Sequence, residues 1–272
     1  MIHSALALAL LGGAAAALLM LVLWGIHLRI GNAGIVDIGW AYGLGLLAML
    51  YGALGSGPSI PRWTITAMAV TWSARLGTHL FRRVVGKPEE GRYKQLRQQW
   101  RTGAAWKFLL FFEAQALLDV LLSIPFLLVC AGSTSVRTGL GAAQITGILI
   151  WLVAILGESI ADAQLTRFKC HAGPKDVCRE GLWNYSRHPN YFFEWLVWIG
   201  WALFAQSAHL GWLAWSSPLL MLFFLLRITG IPATEAQSLR SKGQVYADYQ
   251  KTTSPFIPWF PKDSKQHGGT NQ

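Results

Sequence analysis

The chain has 272 residues, of which 53% are hydrophobic and only 13% are charged, and its mean hydropathy is +0.36. Soluble domains carry about 25% charged residues, so this composition excludes disordered, collagen-like and coiled-coil proteins and disfavours a soluble globular fold. The net charge of +10 would suit nucleic acid, but the cations lie in loops between apolar runs, which is typical of membrane proteins. We therefore expect an all-α polytopic membrane protein that contacts membrane lipids and no nucleic acid.

Seven apolar runs approach the roughly 20 residues that a helix needs to cross the hydrocarbon core. They cover residues 2–26, 34–54, 63–81, 106–131, 138–161, 191–205 and 210–228. Eight cations lie between the end of run three and Lys107 at the start of run four, and five lie between runs five and six. Six more lie from the end of run seven onwards, whereas Arg62 and Arg137 alone fall on the other side. The positive-inside rule then predicts seven transmembrane helices with the N-terminus outside and the C-terminus cytoplasmic. We expect one membrane-embedded domain over residues 1–272, in a bacterial inner membrane.

Several acidic residues lie within or at the edges of these runs, namely Asp37, Glu113, Asp119, Glu158, Asp162 and Glu194. A charged side chain at the bilayer centre costs about 2.5–3.5 kcal/mol on insertion scales. We therefore expect these acids to face a protein interior or a water-filled cavity. Salt bridges between helices that only fix packing are the alternative for any single residue.

Helical spacing arranges the polar residues in stripes. One stripe holds Glu158, Asp162 and Lys169, a second holds Arg75 and His79, and a third holds Asn190 and Glu194. All three become more polar towards the predicted cytoplasmic end, which favours a cavity that opens there. Cations around such a cavity suit a phosphorylated or carboxylate-bearing cofactor, because guanidinium binds both groups bidentately, while the deeper carboxylates suit ribose hydroxyls or an amide.

A metal site is not expected from the cysteines. Cys170 and Cys178, with His171 and His188 nearby, lack the CxxC spacing of zinc sites.

The most informative segment is GLWNYSRHPNYFFEWLVW, residues 181–198. It places Arg187, His188, Asn190 and Tyr191 at the start of a membrane helix, with Pro189 in the first turn, where its missing N–H is harmless. A helix N-terminus also favours anions. This segment is therefore the best candidate for the charged end of the cofactor.

This segment resembles the C-terminal signature of the steroid 5-alpha-reductase-like membrane proteins, in particular their bacterial DUF1295 branch. The resemblance extends to IVDIGW at 35–40, residues 72–87 followed by Arg92 and Tyr93, GESIAD at 157–162, YADY at 246–249 and SPFIPWFP at 254–261. It implies an NADPH-dependent reductase of a carbon–carbon double bond in a lipid or steroid-like enone that enters from the bilayer. The cofactor half would cover about 138–262, with Asp162, Asn190 and Glu194 lining the cavity.

The charge argument adds further cofactor contacts, which are Arg75, Glu158, Lys169, Tyr185, Arg187, His188, Tyr191, Glu235, Tyr246 and Tyr249. The animal steroid reductases polarise the substrate with a Gln-Glu pair in the second span and a Tyr in the third. At those places this chain offers Asp37 and His79, so either a protonated Asp37 or His79 is the predicted catalytic hydrogen-bond donor.

Two other functions remain open. RHPxY followed by a Glu and a tyrosine-rich tail is also similar to membrane methyltransferases such as isoprenylcysteine carboxyl methyltransferase, which bind S-adenosylmethionine; here Glu235 would be that Glu. The continuation from Asn190 to Glu194 and the Glu158 stripe favour a reductase. A non-enzymatic lipid-binding or transport protein is the third possibility, although the sequence shows neither repeats nor paired broken helices.

Overall fold

A computed structural model describes residues 2, 4–89, 91–132 and 139–262, and within them every regular element is helical. The elements are α1 (Ala5–Ile30), α2 (Ile35–Leu54), α3 (Ser59–Val84), α4 (Gly91–Trp100), α5 (Ala104–Leu122), α6 (Ile124–Ala131), α7 (Ala142–His171), α8 (Pro189–Ala205), α9 (Ser216–Phe223), α10 (Ile231–Lys242) and α11 (Gln244–Thr252). Short 3₁₀ turns cover Gly181–Asn184 and Gly211–Trp215, and a π turn covers Phe224–Ile228. Arg137, Lys265 and the expected start of the fifth run at Thr138 lie outside the described residues.

Four helical stretches are long and apolar enough to cross a membrane, and they confirm the coarse prediction of an all-helical protein of this kind. They are Ala5–Ile30, Ile35–Leu54, Ala142–His171 and Gly211–Lys242. The predicted fourth run is a pair, Ala104–Leu122 and Ile124–Ala131, bent by 48°, which counts as a fifth candidate if the pair is one span.

The seven-span count and the orientation stay predictions. The third predicted run lies inside α3, whose length suffices but whose composition is more polar, since Arg62, Arg75 and His79 interrupt it. The sixth run coincides with α8, which has 17 residues. A helix rises 1.5 Å per residue, so α8 spans about 26 Å and is slightly short for the roughly 30 Å hydrocarbon core.

The chain divides into two compact units, each described here by itself. The first comprises Met1–Ile148 and Trp201–Ser217. Its core includes three tryptophans and a phenylalanine in edge-to-face contact: Trp72 has ring centroids 5.7 Å from Trp40 and 5.3 Å from Trp201, which in turn lies 4.9 Å from Phe126. Such aromatic pairs stabilise a core beyond the area they bury.

The second unit comprises Leu149–Gly200 and Pro218–Gln272. The loop after α7 folds back on that helix, because Trp183 donates its indole N–H to the Ala161 carbonyl oxygen at 2.9 Å and the Leu182 N–H bonds the Gln164 side chain at 3.0 Å. Gly181 makes this return possible: its φ is +55°, and a Cβ there would lie under 3.0 Å from Gln164.

The C-terminal segment runs beside this loop and bonds to it. The Arg187 N–H donates to the Ser254 carbonyl oxygen at 2.8 Å, and the Trp259 N–H donates to the Tyr185 carbonyl oxygen at 2.9 Å. The Ser186 hydroxyl donates to the Phe256 carbonyl oxygen at 2.8 Å. These bonds fix the segment that leads into α8.

Candidate functional site

The RHP segment forms an ionic cluster with Glu235 of α10. Arg187 Nε donates to Glu235 Oε1 at 2.6 Å, and His188 Nε2 lies 3.3 Å from the same oxygen. Gln250 of α11 donates its amide to Glu235 Oε2 at 3.0 Å. We call Arg187, His188, Glu235 and Gln250 the Glu235 cluster. It joins three segments that are far apart in the sequence.

Arg187 uses further donors on the main chain of the C-terminal segment. Its Nη1 donates to the carbonyl oxygens of Gln250 at 2.9 Å and of Thr253 at 2.6 Å. The side chain is only 8% exposed. A buried guanidinium needs acceptors on its N–H groups, and here carboxylate and carbonyl oxygens supply them. Arg187 therefore holds the protein together at this point, and its role as a phosphate ligand stays a prediction.

The predicted tail tyrosines are buried. The Tyr249 hydroxyl donates to the carbonyl oxygens of Trp183 and Ser186. Burial raises the pKa of Tyr246 to about 12, and burial also raises the pKa of Tyr249. Both tyrosines therefore remain neutral phenols, and Tyr249 fastens α11 to the turn before α8.

Tyr191 and Tyr185 lie around the same turn. The ring of Tyr191 stacks on that of His188, with centroids 5.3 Å apart and planes 6° apart, and its hydroxyl lies 3.2 Å from the Thr234 hydroxyl. Tyr185 is exposed, and its ring meets Phe260 edge-on at 6.0 Å. The RHPNY segment therefore has one face on α10 and the C-terminal segment.

Residues of two of the polar stripes, one on α7 and one on α8, lie near each other in the second unit. The Asn190 amide points to Asp162 Oδ1 at 3.4 Å, which links α8 to α7. Asn190 and Asp162 are partly exposed, whereas Glu158 and Glu194 are buried at 4% and 9% exposure. We call these four residues the acidic face.

The Phe193 ring of α8 packs against α7 next to the deeper half of this face. A Cβ on Gly157 would lie under 3.0 Å from that ring, so the glycine makes room for Phe193 beside Glu158 in the sequence. Glu194 also accepts the indole N–H of Trp198 at 2.9 Å, one turn along the helix. Glu194 is therefore held in a fixed orientation.

Exposed cations surround the end of α7 and the loop after it. Arg167 and Lys169 are exposed in the last turns of the helix, and Arg179 lies over the Tyr249 ring at 5.2 Å. Burial raises the pKa of the Cys178 thiol, and the Lys242 and Lys169 ammonium groups act in the opposite direction. Arg167, Lys169 and Arg179 thus give this part of the second unit an exposed positive charge.

The predicted residues of the first unit are arranged differently. Asp37, in the first turn of α2, accepts the Tyr93 hydroxyl at 2.7 Å and Arg92 Nη2 at 2.5 and 2.6 Å. Burial raises the pKa of Tyr93 well above its usual value, so the phenol keeps its proton and remains a donor. Asp37 therefore anchors α4 to α2.

Arg75 and His79 of α3 complete the predicted set. Arg75 is partly buried and has polar partners, whereas His79 is exposed. The catalytic roles of Asp37 and His79 stay predictions. Within the described residues no group of three or more His, Cys, Asp and Glu side chains has a geometry that could hold a metal ion.

Sequence reasoning missed the partners that hold these side chains. Gln250 and Thr253 bind Arg187 from about 65 residues away, and no local pattern marks such a pairing. Tyr93 was noted only as part of a motif. Gly181 was the one readable signal, since a glycine before a tryptophan-containing turn is typical of a positive φ.

A family model matches residues 23–253, which is most of the chain. The chain belongs to the family described as Protein of unknown function (DUF1295). The matched residues of this DUF1295 protein include both the Glu235 cluster and the acidic face. No curated protein and no solved structure gives a match.

Proposed function

We propose that this DUF1295 protein is an NADPH-dependent membrane reductase of a conjugated carbon–carbon double bond in a lipophilic enone, located in a bacterial inner membrane. The observation that carries the proposal is the acidic face, where Asn190 meets Asp162 beside the buried Glu158 and Glu194. Amide N–H groups and carboxylates are complementary to ribose hydroxyls and to a carboxamide. The resemblance to steroid 5-alpha-reductase-like proteins supports the same cofactor.

Two groups of residues in the second unit would bind two different parts of the nucleotide. The acidic face would hold the uncharged nicotinamide and ribose groups, since its outer half is reachable and its inner half is buried. The phosphates would go to the exposed cations Lys169 and Arg179 rather than to Arg187, whose Nε and Nη1 already bind oxygens of the protein. Guanidinium and ammonium groups are the usual partners of phosphate.

NADPH would supply a hydride to the electron-poor carbon of the enone, and a proton delivered to the neighbouring carbon would complete the reduction. The residues of the chain would orient the nicotinamide and shield the hydride transfer from water. The fixed carboxylate of Glu194 and the amide of Asn190 would set the position of the nicotinamide, and the apolar surroundings would exclude water from the transfer. His79 is the proposed donor to the substrate oxygen; Asp37 would serve only in a protonated form released from Arg92 and Tyr93, because its two oxygens accept hydrogen bonds from these residues.

A methyltransferase is the second candidate, and one observation favours it. Glu235 binds both Arg187 and His188, so the Glu that follows the last apolar run does come together with RHP. The resemblance to S-adenosylmethionine-dependent membrane methyltransferases rests on this combination of RHP with a later Glu.

The test compares ligands on the purified protein in lipid nanodiscs. Thermal unfolding is followed with NADPH, NADH and S-adenosylmethionine; ligand at 100 times its Kd stabilises by about 2.7 kcal/mol. NADPH alone should raise the midpoint. A rise with S-adenosylmethionine alone would establish the second candidate, and a rise with neither would refute both.

Variants locate the site. Asn190→Ala and Asp162→Asn should abolish the NADPH-induced rise, whereas Asp248→Asn should leave it intact. Asp248 is an exposed acid of the same unit that bonds Gln244 and Lys251 on its own helix, so it controls for loss of one negative charge. Normal NADPH binding by Asn190→Ala would remove the site assignment.

A further inference from the structure

Two glycines of α2 receive a hydroxyl group from α3 in the space where their own side chains would lie. A Cβ on Gly45 or on Gly52 would come under 3.0 Å from the Ser73 or the Thr66 hydroxyl oxygen, respectively. The Ser73 hydroxyl donates to the Ala41 carbonyl oxygen, four residues before Gly45, at 2.8 Å. The Thr66 hydroxyl donates to the Arg62 carbonyl oxygen of its own helix at 2.8 Å and lies 3.4 Å from the Ala48 carbonyl oxygen, four residues before Gly52. A glycine in α2 thus lets a donor from a neighbouring helix reach the main chain.

Asp119 of α5 occupies the same kind of position. A Cβ on Gly43 would also come under 3.0 Å from Asp119 Oδ2. The side chain is fully buried, and neither of its oxygens accepts a hydrogen bond from the described residues. The phenol of Tyr51 in α2, a titratable group in the electrostatic field of Asp119, lies 3.4 Å from the Ser123 hydroxyl.

The backbone of α2 decides which form of Asp119 can bind there. Inside a helix every N–H donates along the axis to a carbonyl four residues earlier, so a neighbour meets carbonyl lone pairs and no available N–H. An ionised carboxylate only accepts hydrogen bonds, whereas a protonated one also donates. A carboxylate pressed against Gly43 would therefore be unpaired and repelled, and a carboxylic acid would be satisfied.

We propose that Asp119 is a proton-binding site: it carries its proton in the folded protein and donates it to the carbonyl oxygen of Gly39, four residues before Gly43. This bond repeats the bond of Ser73 to the Ala41 carbonyl oxygen and holds α5 against α2. The inference is independent of the proposed reductase activity, because Asp119 is not among the residues proposed to bind the cofactor or the substrate.

Infrared difference spectroscopy tests the protonation directly. The spectrum of the wild-type protein in nanodiscs at neutral pH, minus that of Asp119→Asn, should contain the C=O stretching band of a carboxylic acid. The control is Glu113→Gln, which removes a partly exposed acid of the same helix; its loss should leave the Asp119 band in place. If Asp119→Asn instead removes carboxylate bands and no acid band, the proposal is wrong.

A second pair of variants tests the hydrogen bond. Asp119→Asn keeps an N–H donor and should unfold within about 2 °C of the wild-type midpoint, whereas Asp119→Leu keeps the branched shape without a donor and should unfold several degrees lower. Equal midpoints for the two variants would mean that no donated bond exists, whatever the spectrum shows.

Discussion

The Glu235 cluster makes a measurable prediction about stability. Glu235→Ala removes the carboxylate that accepts from Arg187, His188 and Gln250. Arg187 then keeps its charge at 8% exposure without its ionic partner. We therefore expect the variant to lose far more free energy of unfolding than a surface substitution does.

The size of the loss follows from the burial and from the remaining partners. Removing one member of a buried ion pair costs about 3–5 kcal/mol. Glu235 is 16% exposed, and Arg187 retains the Gln250 and Thr253 carbonyl oxygens, so water and main-chain acceptors replace part of what is lost. We expect about 2–3 kcal/mol for Glu235→Ala, which lowers the unfolding midpoint by about 4–12 °C. Glu235→Gln keeps an acceptor without the charge and should lose about half as much.

Thermal unfolding in nanodiscs measures these losses against a matched control. Glu180→Ala removes an exposed acid from the same unit and should change the free energy of unfolding by less than about 0.5 kcal/mol. If Glu235→Ala were as stable as the wild type, the C-terminal segment would not be held by this cluster. Equal losses at Glu180 and Glu235 would show that the effect comes from charge alone.

Two further predictions concern other contacts. Gly181→Ala should lower the free energy of unfolding by about 2–3 kcal/mol, because the new Cβ would combine a positive φ with a clash against the Gln164 side chain. Gly31→Ala has a φ of +68° and open space around it, so backbone strain alone should lower the free energy of unfolding by only about 1 kcal/mol. Chemical unfolding measures both losses, and equal losses would rule out the Gln164 contact. Burial opposes ionisation of Glu89, but its hydrogen bonds to Arg97 and to a backbone N–H prevail, so its pKa is lowered. The wild type should therefore have a higher free energy of unfolding than Glu89→Gln, by under about 1 kcal/mol because Arg97 is 37% exposed. This difference should be present above about pH 4.5 and disappear as the pH falls through the folded-state pKa. A pH-independent difference in the free energy of unfolding would contradict the prediction.

Local patterns predicted the helices and one face of the site. Proline at position 189 marked the start of α8, and helical spacing put Asp162 and Asn190 on faces that do meet. Both features depend on residues a few positions apart. The third span stays a prediction, since α3 is long enough to cross a membrane but its charged and hydroxyl groups make it less apolar than the four stretches named above.

The partners of the predicted residues depended on contacts that no periodicity reveals. The sequence predicts that Arg187 and Glu235 both contact the cofactor, but it does not predict the ion pair between them. That ion pair forms because α10 and the C-terminal segment fold back on the loop before α8. Likewise, the sequence predicts a catalytic role for Asp37 but not the bonds that its carboxylate accepts from Arg92 and Tyr93 of α4. Charge and composition identify the polar residues of the helices but not which of them bind one another.

These pairings indicate which cations of the second unit are available to bind phosphate. Arg187 has its guanidinium bound by oxygens of three segments, so an incoming phosphate would have to compete with Glu235 at a buried site and would lose that bond for the one it gains. Lys169 and Arg179 lie at exposed ends and would exchange only water for phosphate. A nucleotide that binds this unit is therefore expected to have its charged groups at the exposed end of α7 and its uncharged groups along the acidic face.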